Sequence, residues 1–332
     1  VIFHPPILAL TLVSLLSAAA AIWASMFAVE VLRHWDLSSG AEKQLLLERQ
    51  TYLVSTIMTL VMTAELASLV LFVFNADRMA VMFVGAMCAV GTLNASVYGF
   101  PALIAKLCVF FGASVWLAVN HTDGQGRDYP LIRVKYRLLL VLAPLVVLAA
   151  GLQLAYFLDL KADTITSCCG KLFTPEKPGL SAELAGLGER TALVLLYGGL
   201  AVLLAAGAAA FRWPRLVALY GAGSGIFFVI GIAAVISVIS LYVYEHPNHH
   251  CPFCLLKREY HYFGFLLYAP LFAGTALGLP AGLLSLLRQP ASLGPVMPAL
   301  LRRLTLASMV CFFIFGAIAT WAIWASGLIL FA

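Results

Sequence analysis

Runs of about twenty apolar residues recur along this chain, and a run of that length spans the roughly 30 Å hydrocarbon core of a bilayer as a helix. Inside lipid every backbone N–H and C=O must find a partner within the protein, which restricts such runs to helices. The runs are continuously apolar and not alternating, so a transmembrane barrel is excluded. Composition agrees: 63% of the 332 residues are hydrophobic and 11% are charged, against roughly 45–50% and about 25% in soluble domains. A water-soluble enzyme, a coiled coil and a disordered chain are excluded. The expected fold is all-α, a polytopic transmembrane bundle of about eight or nine spans forming one integral membrane domain over 1–332.

Charged and Pro/Gly breaks place the spans near 6–33, 52–75, 79–99, 101–120, 138–159, 190–211, 217–244, 261–287 and 304–330. The third is rich in glycine and carries Cys88, Thr92, Asn94 and Ser96. It reads as a span or as a re-entrant segment covered by protein. The first run lacks a basic leader and exceeds the usual signal-peptide core, so it reads as a retained helix. Trp35 and Trp213, at predicted helix ends, suit the headgroup region.

Net charge is +5, from 20 basic and 15 acidic residues. The basic residues are scattered between spans, which argues against nucleic-acid binding and for topology signals. Arg127, Arg133, Lys135 and Arg137, then Arg212 and Arg215, then Arg288, Arg302 and Arg303 fall on one side if the spans alternate. That side is expected to be cytoplasmic, in a bacterial inner membrane. The loops at 160–189 and 245–260 then share the opposite, extracytoplasmic side.

Those two loops hold the paired cysteines among the seven in the chain. One reads Thr166-Ser167-Cys168-Cys169-Gly170; the other reads His249-His250-Cys251-Pro252-Phe253-Cys254, followed by Lys257 and Arg258. A Cys-x-x-Cys spacing lets two sulfurs close a disulfide or grip one metal. Pro252 stiffens the turn, and the nearby His249, His250, Lys257 and Arg258 favour thiolate. Cys168 and Cys169 are adjacent, so their partner is expected elsewhere, in the Cys251/Cys254 pair or in a metal. With His249 and His250, the four cysteines are candidate ligands for Cu or Zn. Cys88, Cys108 and Cys311 read as ordinary cysteines of membrane helices. The two motifs are expected to form one site.

Cys251-Pro252-Phe253-Cys254 resembles the Cys-Pro-aromatic-Cys sites of glutaredoxin-type proteins. A Cys-x-x-Cys at the outer end of a membrane helix, served by a second pair in another outer loop, resembles the vitamin K epoxide reductase and DsbB families. The resemblance rests on these two short motifs. It implies that Cys251 and Cys254 face a quinone, while Cys168 and Cys169 exchange disulfides with a soluble thioredoxin-like partner.

Ionisable groups inside spans are functional candidates by default. Glu65 shows no evident partner and is a candidate for proton transfer; by counted depth Lys106 matches Glu30, as a structural ion pair. Glu65 and Lys106 are the candidate cofactor-contacting groups. The seven histidines all avoid mid-span positions, which argues against a haem held inside the bilayer. His34, His246, His249, His250 and His261 are expected at the outer edge, and there is no Cys-x-x-Cys-His for c-type haem attachment. The leading expectation is a membrane thiol–disulfide oxidoreductase passing electrons from extracytoplasmic thiols to quinone. The alternatives are a Cu- or Zn-binding membrane protein, and an anchor for electron-transfer subunits with structural disulfides.

Overall fold

The computed structural model describes residues 5–36, 39, 41–126, 128–161, 166, 188–287, 291–328 and 330. Cys168 and Cys169, and most of the loop that carries them, lie outside the described residues. Among the described residues, eight helices are long and apolar enough to cross a membrane: Pro5–His34, Glu42–Met82, Gly99–Asp123, Ile132–Asp159, Glu189–Ala210, Leu216–Tyr244, Phe263–Leu286 and Met297–Ala325. The chain is a polytopic helical membrane protein, as the apolar runs require.

The run at 79–99 is not a span. The second span continues to Met82, Phe83 turns extended, and only Ala89–Asn94 is helical. Six helical residues rise about 9 Å, far short of the bilayer core. Gly85, Gly91, Thr92, Asn94 and Ser96 explain the break, because glycines and short polar side chains weaken helix propagation.

Two compact units divide the contacts. The first comprises Val1–Phe83, Thr92–Thr164 and Arg288–Ala299. Its helices are α1 (Pro5–His34), α2 (Glu42–Arg78), α4 (Gly99–Asp123) and α5 (Ile132–Asp159), while the short α3 (Ala89–Asn94) is divided between the two units at Gly91 and Thr92. α1 packs on α5 and α2, and α4 packs on the same two, which closes a four-helix bundle. Ala21, Ala24 and Ala28 are fully buried on α1, and such small side chains let helix backbones approach closely in lipid. Ser14 Oγ donates to Gln153 Oε1 at 3.2 Å, and Gln153 Nε2 donates to the Leu10 carbonyl at 3.2 Å. These bonds satisfy a glutamine with no solvent exposure.

Two ion pairs are buried in this unit. Lys135 donates to Asp123 Oδ2 at 2.7 Å and to Ser55 Oγ at 3.1 Å, while Asp123 Oδ1 accepts the Leu131 N–H at 2.8 Å. This knot ties the α4–α5 turn onto α2. The second pair is Lys106 with Glu65, at 3.9 Å. It replaces the expected Glu30–Lys106 pair and gives Glu65 a partner: Glu30 instead meets Lys43 at the exposed end of α1, at 3.8 Å. The depth match counted 79–99 as a span; without that span Glu30 lies at the basic end of α1, and Lys106 donates to Ser68 Oγ of α2 at 2.7 Å. Trp35 is also corrected. It is buried, edge-on to Tyr129 at 5.6 Å, and its carbonyl accepts from Arg133 at 3.3 Å. His34, at the end of α1, therefore belongs to the basic end of this bundle and not to the opposite edge.

The second unit comprises Val84–Gly91, Ile165–Leu287 and Leu300–Ala332. Its helices are α6 (Glu189–Ala210), α7 (Leu216–Ala234), a π turn at Val235–Ile239, α8 (Ser240–Tyr244), α9 (Phe263–Leu286) and most of α10 (Met297–Ala325). Pro270 and Pro280 both lie inside the uninterrupted α9. α7 meets α9 backbone to backbone: a Cβ on Gly221 would sit 2.4 Å from the Gly282 Cα. Gly221→Ala is accordingly expected to lower Tm in detergent, by the roughly 1–3 kcal/mol typical of overpacking. Gly198→Ala, with nothing within 4 Å of the new methyl, is the control and should leave Tm unchanged or raise it. Equal shifts in the two variants would refute the tight α7–α9 contact.

Candidate functional site

The site grows from the end of α8. The π turn before it opens the helical ladder, and the Ile236 carbonyl accepts from Ser240 Oγ and from His250 Nδ1, both at 3.0 Å. A carbonyl only accepts, so His250 Nδ1 carries the proton and, in the neutral ring, Nε2 keeps its lone pair. Glu245 then breaks the helix with a left-handed backbone (φ 52°), and its Oε1 accepts the Gly327 N–H at 3.0 Å.

Two phenols hold the Cys-Pro-Phe-Cys backbone. Tyr244 donates to the Cys251 carbonyl at 2.5 Å, and Tyr268 of α9 donates to the Pro252 carbonyl at 2.8 Å. His249 stacks on Tyr244 with ring centres 4.1 Å apart. Beyond Phe253 the chain makes a 3₁₀ turn, Cys254–Leu256, closed by the Lys257 N–H to the Cys254 carbonyl at 3.0 Å. Lys257 Nζ then donates to the Met87 carbonyl.

That last bond brings in a third cysteine. Cys88 Sγ lies 3.5 Å from Cys251 Sγ, and the sulfurs of Cys88, Cys251 and Cys254 all lie within 4.8 Å of one another. All three are buried, with 0%, 3% and 8% exposure. Thiol hydrogen bonds from Cys254 and Cys88 hold Cys251 well below the ordinary thiol range, against the opposing effect of burial. Cys254 is pushed up, first by its bond to Cys251 and next by its bond to Cys88. Burial lowers the His249 pKa.

The structure thus joins Cys251 and Cys254 to a residue that the sequence reading assigned to packing. Cys108 is exposed and Cys311 half-buried, and neither belongs to the cluster. The group of ligand atoms within 4.8 Å of one another does not include His249 or His250; the His249 ring stacks on Tyr244, and His250 Nδ1 donates to the Ile236 carbonyl. Glu65 and Lys106 come together, but in the first unit, whereas the cysteines belong to the second. The sequence signal for Cys88 was the broken 79–99 run. A re-entrant segment there keeps Cys88 at the same end as the Cys-x-x-Cys loop.

Fold and site together define a polytopic helical membrane protein with a buried three-cysteine cluster. No protein-family model, curated protein or solved structure matches the chain, so the chemistry of the cluster is argued from its own residues.

Proposed function

We propose that this protein binds a thiophilic d¹⁰ cation, Cu(I) or Zn(II), through Cys88, Cys251 and Cys254. The single observation that carries the reading is the convergence of three buried sulfurs from two separate segments within 4.8 Å. Thiolates bound to one ion at about 2.3 Å stand roughly 4 Å from each other, so the cluster needs little rearrangement to close on a metal. Soft sulfur ligands select Cu(I) and Zn over Mg or Ca. A Cys-x-x-Cys used only for disulfide chemistry has no need of a third buried thiol.

In this reading the eight spans alternate, so the segments that carry the paired cysteines and Cys88 share one side and the basic turns the other. By the positive-inside rule the cysteine side is extracytoplasmic. In this reading Cys168 and Cys169, two and three residues beyond Thr166, are the thiols that exchange the ion with the cluster.

A second reading, thiol–disulfide exchange with membrane quinone, draws on the lowered pKa of Cys251 beside Cys254 and on Cys88 as a third thiol. There the reduced Cys251/Cys254 pair would close to a disulfide, and the two electrons and two protons it gives up would reduce a quinone to the quinol.

Metal analysis of protein purified anaerobically, combined with differential alkylation, separates the two. One Cu or Zn per chain that protects Cys88, Cys251 and Cys254 from alkylation supports the first reading. Metal-free protein whose Cys251 and Cys254 become protected on adding a soluble quinone supports the second.

A further inference from the structure

Cys88 reaches the cluster on a loop that has little structure of its own. Val84 to Met87 form no regular element, and the six-residue α3 begins just after Cys88. Two other segments hold this loop. From the Cys-x-x-Cys side, Lys257 Nζ donates to the Met87 carbonyl. From the other side, Thr166 spans it: the Thr166 N–H donates to the Val84 carbonyl at 3.0 Å, and its Oγ1 donates to the Gly91 carbonyl at 2.8 Å. One residue therefore bonds the loop four residues before Cys88 and three residues after it. Thr166 is 8% exposed, so its hydroxyl has little water to turn to if that bond is lost.

Gly85 makes the clasp fit. Its φ is +84°, a backbone region that glycine enters freely, and a Cβ there would lie 2.2 Å from the Thr166 carbonyl oxygen. A side chain at 85 would push Thr166 off the loop.

We infer that Thr166 is a positioning residue that decides whether the cluster offers an ion three sulfurs or two. This rests on the metal reading above for its consequence, but the clasp itself concerns only where Cys88 stands. With Thr166 bonded at both ends of the loop, Cys88 is held against Cys251 and an ion meets a three-sulfur site. With the Oγ1 bond gone, the loop loses its bond to Thr166 downstream of Cys88, Cys88 moves off the cluster and the ion meets the Cys251/Cys254 pair alone.

The test uses the full chain in nanodiscs, with Thr166→Val, which keeps the volume and removes the hydroxyl, and Thr166→Ser, which restores it. Two quantities are read: the alkylation rate of Cys88 by iodoacetamide in metal-free protein, and the sulfur number around added Cu(I) by X-ray absorption. In Thr166→Val, Cys88 should react about tenfold faster, the equivalent of one lost hydrogen bond, and the sulfur number should fall from three to two; Thr166→Ser should behave as wild type. Gly85→Ala should reproduce Thr166→Val. Unchanged Cys88 reactivity and an unchanged sulfur number in Thr166→Val overturn the inference. Wild type that binds no Cu(I), while Thr166→Val still uncovers Cys88, would uphold the clasp and discard the metal reading. If Thr166→Ser fails to rescue, the hydroxyl is not the operative group, and the inference is again overturned.

Discussion

On the metal-binding proposal, Cys88→Ser should lower affinity for Cu(I) or Zn(II) by two to three orders of magnitude, although nothing in its sequence neighbourhood resembles a metal motif. Structural zinc sites with four ligands bind with about 10–16 kcal/mol, so removing one thiolate costs roughly 3–4 kcal/mol, or about 10²–10³-fold. A serine hydroxyl fills much of the same space but is a hard, neutral oxygen that soft cations avoid. Cys251→Ser should lose at least as much. Cys108→Ser and Cys311→Ser should bind as wild type, since neither residue belongs to the cluster. Competition with a chromogenic chelator measures all four. If Cys88→Ser retains wild-type affinity, the ion is held by the Cys-x-x-Cys pair alone and the three-sulfur site is refuted.

How far the sequence announces this arrangement differs from residue to residue. Span number and class follow directly from apolar run length, because lipid leaves the backbone no alternative to the helix. Cys251 and Cys254 are equally legible: a Cys-Pro-Phe-Cys turn among histidines at a helix end has few uses besides thiol chemistry. Cys88 is not legible by motif. It sits alone in an apolar stretch, and its role depends on a tertiary bond from Lys257 to Met87, which has no local pattern. The run at 79–99 does carry a hint in its glycines and short polar side chains, and treating it as re-entrant gives the observed eight spans. His249 and His250 show the opposite failing. Their type and spacing suit ligation, but their nitrogens stand outside the group formed by the three sulfurs, and no periodicity foretells the π turn whose carbonyl accepts from His250. Charge pairing inside the first unit was misjudged for a geometric reason. Counting 79–99 as a span sets Glu30 and Lys106 at one end of the bundle, whereas the lysine stem reaches Ser68 and Glu65 on α2.

That reach sets up the second large effect. Lys106→Met or Glu65→Gln, made singly, is expected to destabilise the first unit by about 3–5 kcal/mol, the usual consequence of stripping one partner from a buried ion pair. Lys106 and Glu65 are 2% and 3% exposed on the side chain and lie on α4 and α2. With Lys106 gone, the Glu65 carboxylate keeps its burial and loses its counter-charge. With Glu65 neutralised, the ammonium keeps only the Ser68 hydroxyl at 2.7 Å and the Phe72 ring at 5.8 Å. The double variant Lys106→Met/Glu65→Gln removes both charges and leaves side chains of similar size. It should therefore be more stable than either single variant, with a coupling well above the roughly 0.5 kcal/mol seen for independent sites. Thermal unfolding in detergent, followed by the fluorescence of the fully buried Trp116 in the same bundle, gives the four values of the cycle. The Asp123–Lys135 pair supplies the contrast. Asp123→Asn removes a direct 2.7 Å bond to Lys135 and weakens the acceptor for the Leu131 N–H, so Lys135→Met added to it should recover less than the Lys106/Glu65 double variant does. Strictly additive losses at Glu65 and Lys106 would mean that the two charges are stabilised separately. α2 and α4 would then be held together by packing and by the Ser68 bond, not by the ion pair.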